Sequence, residues 1–350
     1  MNHHAIVGCI LGTAVGDALG LPYEGVSPTR SPRLLGSPDR HRFFFRRGMI
    51  SDDTEHTCMV AQALIDAGGD VPKFTRSFAR RLRWWILALP AGVGKATARS
   101  GIKLWLGVSP ERTGVFSAGN GPAMRAAIFG AALDDIPLML NFVRASSRLT
   151  HSDPKAEYGA IAVALAAKHS RGHEKVDANL WLGEVVDALG EGGTELIDLF
   201  RQVIRSTESG EPTRSFADSL GLDSGVTGYT YHTVPVAIHA WLSSPNDFRQ
   251  AVTSIIECGG DADTTAAIVG GIVGAGAGRE GVPNEWLDGI WEWPRSVAWM
   301  ERLGESLANS LNGDSAVKSP AINPIAVLLR NLLFLFIVLF HGFRRLAPPY

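Results

Sequence analysis

Two acidic clusters contain the residues of this chain that are best suited to metal chemistry. The first, at residues 51–55, reads Ser-Asp-Asp-Thr-Glu, and the second, at residues 259–265, reads Gly-Gly-Asp-Ala-Asp-Thr-Thr. They supply four aspartates: Asp52, Asp53, Asp261 and Asp263. Carboxylates gathered in one place repel each other unless a cation neutralises them, and oxygen ligands suit Mg²⁺ or Mn²⁺ rather than zinc. The clusters therefore predict a dinuclear metal site with oxygen ligands.

Helix capping is the structural alternative for the same residues. Each cluster runs into an apolar stretch typical of a helix, and Asp and Ser are preferred N-caps. Asp52 and Glu55 also have the spacing of a capping box. The repetition of the pattern favours the metal interpretation, because both clusters have hydroxyl neighbours that can ligate or orient a cation: Ser51, Thr54, Thr264 and Thr265.

Two other carboxylate motifs are excluded by single positions. An EF-hand loop counted from Asp261 requires a glutamate at its twelfth position, where Ile272 stands. The DDxxD motif of isoprenoid-chain synthases fails because His56 occupies its last position.

Composition limits the class of protein. With 350 residues, 45% of them hydrophobic, and a net charge of −2, the chain can bury a large core and has no basic excess for nucleic acid. Its three cysteines, Cys9, Cys58 and Cys258, lack paired spacing, so we expect reduced core residues in a cytoplasmic protein.

Apolar periodicity predicts an all-α fold. Apolar residues recur mostly at intervals of three and four, which indicates a compact orthogonal multi-helix bundle. The apolar segment 5–15 lacks a preceding basic residue and is followed by Asp17, so we expect a core helix rather than a signal peptide. Glycines spaced by four at residues 8–20 and 270–278 predict that two helices pack closely and bring Asp17 near Asp261.

The tail differs in composition from the rest. We predict a catalytic domain at 1–310, a flexible linker at 311–324 and a hydrophobic helix at 325–345. Residues 325–343 would extend about 28 Å as a helix, close to a bilayer's hydrocarbon thickness. However, Arg330 and Asn331 interrupt the apolar run. Three alternatives remain: a membrane anchor, an interfacial helix, and a helix that docks on the body or on a second subunit.

Several smaller motifs offer further polar groups. Glu24 follows the first helix on a proline-containing segment, and His151, Tyr229 and Tyr231 stand at segment starts, where such residues are more often caps or core donors. The turn at residues 119–121, Gly-Asn-Gly, has backbone N–H groups that suit phosphate, with Arg125 in support, although it is also an ordinary turn sequence.

Taken in order, these motifs resemble those of the ADP-ribosylglycohydrolase family. The resemblance runs from Gly8 to about Gly278 and rests on residues 16–24, 51–54, 119–121, 150–151 and 260–264. It implies an all-α fold with two Mg²⁺ or Mn²⁺ ions. The implied ligands are Ser51, Asp52, Asp53, Asp261, Asp263 and Thr264.

The resemblance also implies roles for the remaining motifs. Glu24 would be a mobile ligand or gate, and either Asp53 or Asp261 would handle the proton. Substrate would be held by Gly119, Asn120, Gly121, His151, and Tyr229 or Tyr231.

The implied reaction is cleavage at ribose C1″ of an ADP-ribosylated protein or an ADP-ribose-containing small molecule, with an arginine linkage favoured. The alternative is a catalytically silent relative that binds ADP-ribose or serves structurally. We expect no nucleic-acid partner, and membrane association only through residues 325–343.

Overall fold

The computed structural model describes residues 3–172, 176–313 and 317–346. In these ranges the chain forms α-helices and four short 3₁₀ helices, and strand pairing is limited to isolated bridges. The helices are α1 (His3–Gly20), α2 (Ser31–Leu34), α3 (Asp52–Ala67), α4 (Val71–Leu87), α5 (Lys95–Trp105), α6 (Ala127–Ala132), α7 (Ile136–Thr150), α8 (Pro154–Ser170), α9 (Ala178–Leu189), α10 (Thr194–Glu208), α11 (Thr213–Ser219), α12 (Thr230–Ser243), α13 (Phe248–Ile256), α14 (Ala262–Gly281), α15 (Asn284–Leu287), α16 (Val297–Leu311) and α17 (Pro324–Arg345). The all-α prediction is confirmed.

The central element is the pair formed by α1 and α14. All but the first two residues of α1 are buried, which confirms the expected core helix. A Cβ atom on Gly8, Gly12, Gly16 or Gly20 would clash with a backbone oxygen of α14. The two backbones can approach so closely only because these positions lack side chains, and the predicted close packing of the two helices is therefore confirmed.

Substitution of a glycine in this contact should destabilise the fold. In Gly12→Ala the new methyl group meets the Gly270 carbonyl, and we expect a loss of about 1–3 kcal/mol or more in unfolding free energy. Gly183 is an exposed glycine of α9 with open space around it, so Gly183→Ala should instead gain up to about 1 kcal/mol. Urea denaturation of both variants measures the contrast, and equal effects would contradict the packing argument.

Two described helices are long and apolar enough to cross a membrane, but they are placed differently. The apolar window within residues 3–23 lies wholly inside the body, whereas most of the window within residues 324–344 is not buried. One face of α17 nevertheless packs on the body through Val327, Phe334 and Ile337. The tail helix is therefore docked along the surface of the bundle.

The segment before α17 also contacts the body where it is described. Trp299 donates its indole N–H to the Ala321 carbonyl at 3.2 Å, and Gln62 donates to the Pro320 carbonyl at 3.3 Å. Residues 314–316 of the predicted linker lie outside the described residues.

Candidate metal centre and substrate cleft

The start of α3 is fixed by a carboxylate of α1. Asp17 is buried and accepts hydrogen bonds from Ser51 N at 2.9 Å, Thr54 N at 3.2 Å and Thr54 Oγ1 at 2.5 Å. Burial raises its pKa to about 6, against the lowering effect of these donors. The glycine spacing predicted Asp17 near Asp261. The structure places Asp17 against Ser51 and Thr54 and close enough to act electrostatically on Asp263, and the sequence did not indicate that it would hold the first acidic cluster.

Asp53 connects the two acidic clusters. It is only 1% exposed, and its Oδ2 accepts from Ser51 Oγ at 2.9 Å and from Thr264 Oγ1 at 3.4 Å. Its Oδ1 is buried without a hydrogen-bond partner. A carboxylate oxygen in that condition is costly, and it is a natural position for a cation.

The capping alternative accounts for only part of these clusters. Ser51 is the N-cap of α3, but the Glu55 carboxylate bonds Trp85 and Arg295 instead of closing a capping box. Asp261 is the N-cap of α14 and makes no side-chain capping bond there. Capping therefore explains Ser51 and leaves the aspartates available for another role.

Gly260 brings three chain segments together beside the second cluster. Its carbonyl accepts from Gly25 N at 2.7 Å and its N–H donates to Val26 O at 3.1 Å, while Asp261 N donates to Val226 O at 2.7 Å. Its φ of 78° favours glycine, and a Cβ would clash with the Val226 backbone. This pairing holds Glu24, which is exposed, close enough to act electrostatically on Asp263.

The carboxylates lie at two depths and strongly affect one another. Asp53 and Asp263 are buried, whereas Asp52 and Asp261 are partly exposed. Burial raises the pKa values of Asp52, Asp53 and Asp263 well above the ordinary value. The next cause is the negative charge of Asp17 for Asp52 and Asp53, and that of Glu24 for Asp263. Such a group of like charges needs a neutralising partner.

The side-chain oxygen atoms at this site are of the type that binds hard cations. Among the described residues, no three His, Cys, Asp or Glu side chains already stand in metal-binding geometry. The site nevertheless combines carboxylates with the hydroxyls of Ser51 and Thr264, all of them oxygen ligands; both hydroxyls contact Oδ2 of Asp53, and Oδ1 of the same carboxylate has no partner. Oxygen donors of this type are those that Mg²⁺ and Mn²⁺ take.

The Gly-Asn-Gly turn stands directly beside the second cluster. Asn120 Nδ2 donates to Asp261 Oδ2 at 2.7 Å and to Thr233 Oγ1 at 3.0 Å. The turn is fixed by Asn120 N donating to Gly228 O at 3.0 Å. The structure therefore places this turn in contact with Asp261 of the second acidic cluster. From the sequence, only the family resemblance had linked the turn to that cluster.

His151 lies against the turn as a neutral ring. A Cβ on Gly121 would be 2.9 Å from its Cε1 atom, and its Nδ1 pairs with Thr150 Oγ1 at 2.8 Å. Burial, aided by the charge of Arg125, lowers the pKa of His151 to about 3. It therefore carries no positive charge at neutral pH.

Arg125 does not support a phosphate. It is wholly buried, and its guanidinium donates to Ser146 Oγ at 3.0 Å and to Thr150 Oγ1 at 2.7 Å. The expectation from the sequence was wrong because Arg125 lies in a buried 3₁₀ helix, Ala123–Arg125, where acceptors of the body take up its guanidinium.

The two tyrosines occupy different depths near the same turn. Tyr229 is half-buried, pairs with Gly119 through a backbone bridge, and accepts a hydrogen bond from Lys155 Nζ at 3.0 Å. Tyr231 is buried, with its ring centroid 5.7 Å from that of Tyr229. Lys155 was not among the residues expected near the cleft from the sequence. Its position two residues after Asp153, the N-cap of α8, indicates that it stands in the first turn of a helix that begins close to His151 in the chain.

An all-α body with carboxylates gathered at the starts of two helices, beside a glycine turn, defines a helical protein with a candidate oxygen-ligand metal site. The chain belongs to the ADP-ribosylglycohydrolase family, because the sequence profile of that family matches residues 2–316. It is accordingly a hydrolase that acts on glycosyl bonds, and the family acts on ADP-ribosylated proteins or ADP-ribose-containing substrates.

Individual relatives are similar over most of their length. An uncharacterized protein of Archaeoglobus fulgidus is 30% identical, covering 81% of this chain and 90% of that protein. ADP-ribosyl-[dinitrogen reductase] glycohydrolase of Rhodospirillum rubrum is 27% identical, covering 81% and 90%. ADP-ribosylhydrolase ARH3 of Gallus gallus is 27% identical, covering 80% and 87%.

A solved structure supports the fold. A chain described as an ADP-ribosylglycohydrolase-related protein complex aligns with a TM-score of 0.59 and 24% sequence identity, covering 89% of this chain and 99% of that one.

Proposed function

We propose that this chain hydrolyses the glycosidic bond at ribose C1″ of ADP-ribosylated substrates and that it requires two Mg²⁺ or Mn²⁺ ions. The observation that carries the metal assignment is Asp53, whose buried Oδ1 has no partner at the point where α3 and α14 meet. The proposed ligands are Ser51, Asp52, Asp53, Asp261, Asp263 and Thr264, with Glu24 as a further ligand or gate.

The chain's own residues divide the work by depth. Bound cations would supply the positive charge that neutralises the carboxylates and lowers the pKa of a water. Asp261 is partly exposed and is held by Asn120, so it is better placed than buried Asp53 to take a proton from an attacking water. The cleft's negative charge would stabilise the cationic ribose that develops as the C1″ bond breaks.

The turn and its neighbours suit the rest of the substrate. Gly119, Asn120 and Gly121 are partly exposed beside Asp261, so the surface of this turn would border a ribose bound at the cleft. His151 lies against the turn and is uncharged. It can therefore pack against the substrate or hydrogen-bond to it without competing with the cations for the carboxylates. Tyr229 stands at the rim, and Tyr231 supports it from behind.

An arginine linkage fits the charge of the site best. Its guanidinium would lie beside the carboxylates of partly exposed Asp52 and exposed Glu24, which are close enough to act on each other electrostatically. The Rhodospirillum relative is described as a glycohydrolase of ADP-ribosyl-[dinitrogen reductase], which makes a modified protein a sensible first substrate to test. The second candidate remains a silent ADP-ribose-binding relative.

The test is ADP-ribose release by the full-length protein from arginine-, serine- and ester-linked substrates, with Mg²⁺, with Mn²⁺ and with EDTA. We expect metal-dependent release, greatest from the arginine linkage. Tight ADP-ribose binding without release from any substrate would favour the silent relative. Release that EDTA leaves unchanged would refute the metal assignment.

Asn120 provides a sharper test of the cleft. Asn120→Ala removes the donor that holds Asp261, and loss of such an orienting partner typically lowers metal affinity or activity about 10- to 100-fold. The matched control is Asn179→Ala on the exposed start of α9, which should leave turnover unchanged. Turnover measured against Mg²⁺ concentration distinguishes a metal defect from a general one. Equal behaviour of the two variants would contradict the proposed role of Asn120.

A further inference from the structure

The tail helix α17 has one buried face and one exposed apolar face. Its buried positions include Val327, Arg330, Phe334 and Ile337, spaced by three and four. Large apolar side chains are exposed on the other side at a similar spacing: Leu329, Leu332, Phe336, Leu339, Phe340 and Phe343. Exposed apolar surface of this extent marks an interaction site.

The inner face is attached to the body by polar contacts as well as by packing. Arg330 forms a buried ion pair with Glu292 and donates to the Ile50 carbonyl. Asn331 donates to the Ala88 carbonyl at 2.8 Å. These contacts hold the helix lengthwise on the surface. Crossing a bilayer would pull Arg330 from Glu292 and leave a buried carboxylate unpaired.

The apolar surface continues from α17 onto the body. Phe43 packs on Phe334, and its carbonyl pairs with His341. Two residues later, Phe45 is 88% exposed at a turn where its φ is 45° and that of Arg46 is 64°. Strained backbone of this kind is typical of functional positions. Leu89, exposed beside the Ala88 contact, borders the middle of the helix.

Three arginines border this surface. Arg46 and Arg47 are exposed beside Phe45, and Arg344 is exposed near the C-terminal end of α17. Residues 317–346 contain no Asp or Glu. A second copy of α17 would therefore offer no carboxylate to these arginines, whereas anionic lipid headgroups would.

We infer that the outer face of α17, together with Phe45, binds the surface of an anionic lipid bilayer with the helix axis parallel to the membrane. An amphipathic helix lying in the interface buries its apolar face among the acyl chains, and flanking basic residues contact the headgroups. The folded body stays on the aqueous side.

The experiment is flotation of the full-length protein with vesicles of phosphatidylcholine alone or mixed with phosphatidylglycerol. We expect binding to the anionic vesicles, and weakening by at least about tenfold in Phe336→Glu. The control Leu180→Glu changes an equally exposed leucine on α9 and should bind as the unmodified protein does. Arg46→Gln should weaken binding to anionic vesicles. Added salt should then weaken the binding of this variant less than it weakens the binding of the unmodified protein.

Two outcomes would overturn the inference. Equal binding to both kinds of vesicle would refute the headgroup contacts. Failure to bind either kind of vesicle would refute the lipid contact. If sedimentation then shows a dimer that Phe336→Glu dissociates, the surface binds a second copy of the chain. ADP-ribose release by Phe336→Glu should match the unmodified protein, so failure of this inference is distinguishable from failure of the proposed reaction.

Discussion

Asp53→Asn is expected to abolish turnover while making the metal-free protein more stable. The amide keeps the shape of the side chain but removes a negative charge that burial and the neighbouring Asp17 and Asp52 make costly. Turnover should fall by at least about a thousandfold, the scale of losing an important electrostatic group in an active site. In EDTA at pH 7 the unfolding free energy should rise, because the substitution removes the cost of ionising a carboxyl whose pKa burial and like charges hold well above its ordinary value.

The pH dependence of that gain has a definite sign. A carboxyl whose pKa is raised on folding binds more protons in the folded protein than in the unfolded one. The metal-free protein therefore loses stability as pH rises from the ordinary aspartate value of 3.8 towards the raised value. The advantage of Asp53→Asn should accordingly shrink as pH falls to about 4.

Thermal denaturation with EDTA and with Mg²⁺ measures both effects. The unmodified protein should be stabilised by Mg²⁺, and Asp53→Asn should lose that response. Asp187→Asn, an exposed aspartate on α9, is the control and should keep both turnover and the Mg²⁺ response. A stable Asp53→Asn protein that retains metal-dependent turnover would remove Asp53 from the site.

Arg330→Met is expected to destabilise the protein by about 3–5 kcal/mol, because it leaves the Glu292 carboxylate buried without its ion-pair partner. Arg330 is 2% exposed, and its guanidinium donates to both Glu292 oxygens, at 2.9 and 2.6 Å. Glu292 also accepts from Ile50 N at 3.3 Å, directly before the first acidic cluster. The tail helix therefore supports the backbone that leads into the candidate metal site.

A second substitution separates the charge effect from lost packing. In Arg330→Met with Glu292→Gln the unpaired charge is removed, and we expect recovery of a large part of the lost stability. Arg302→Met, an exposed position on α16, should change stability by less than about 0.5 kcal/mol. Urea denaturation of the set is the measurement. If Arg330→Met is as stable as Arg302→Met, the tail helix does not depend on this ion pair.

Local pattern alone was enough for much of the fold. The three- and four-residue apolar spacing indicated helices, and the glycines of α1 and α14 indicated a close contact, because both depend on neighbours in the chain. The Asp-rich clusters before α3 and α14 were visible for the same reason. The Asp, Ser and Thr side chains of these clusters can offer a metal only oxygen ligands, whatever the fold.

The tail shows the limit of that reasoning. An apolar run of this length is compatible with spanning a membrane, lying on one, or docking, because composition does not reveal which side of a helix is covered. Arg330 looked like an interruption in an apolar segment. Its partner, Glu292, lies 38 residues away, and only the folded arrangement brings the two side chains together.

The amino-acid pattern was sufficient to predict a helical protein with two carboxylate-rich helix starts and a resemblance to ADP-ribosylglycohydrolases. The tertiary structure decided which groups meet: Asp17 with Ser51, Asp53 with Thr264, and Asn120 with Asp261. It also decided that Arg125 is a buried structural residue. The hydrogen bond between Asp53 and Thr264 joins residues 211 positions apart, so it depends on how helices pack, and no local spacing encodes it.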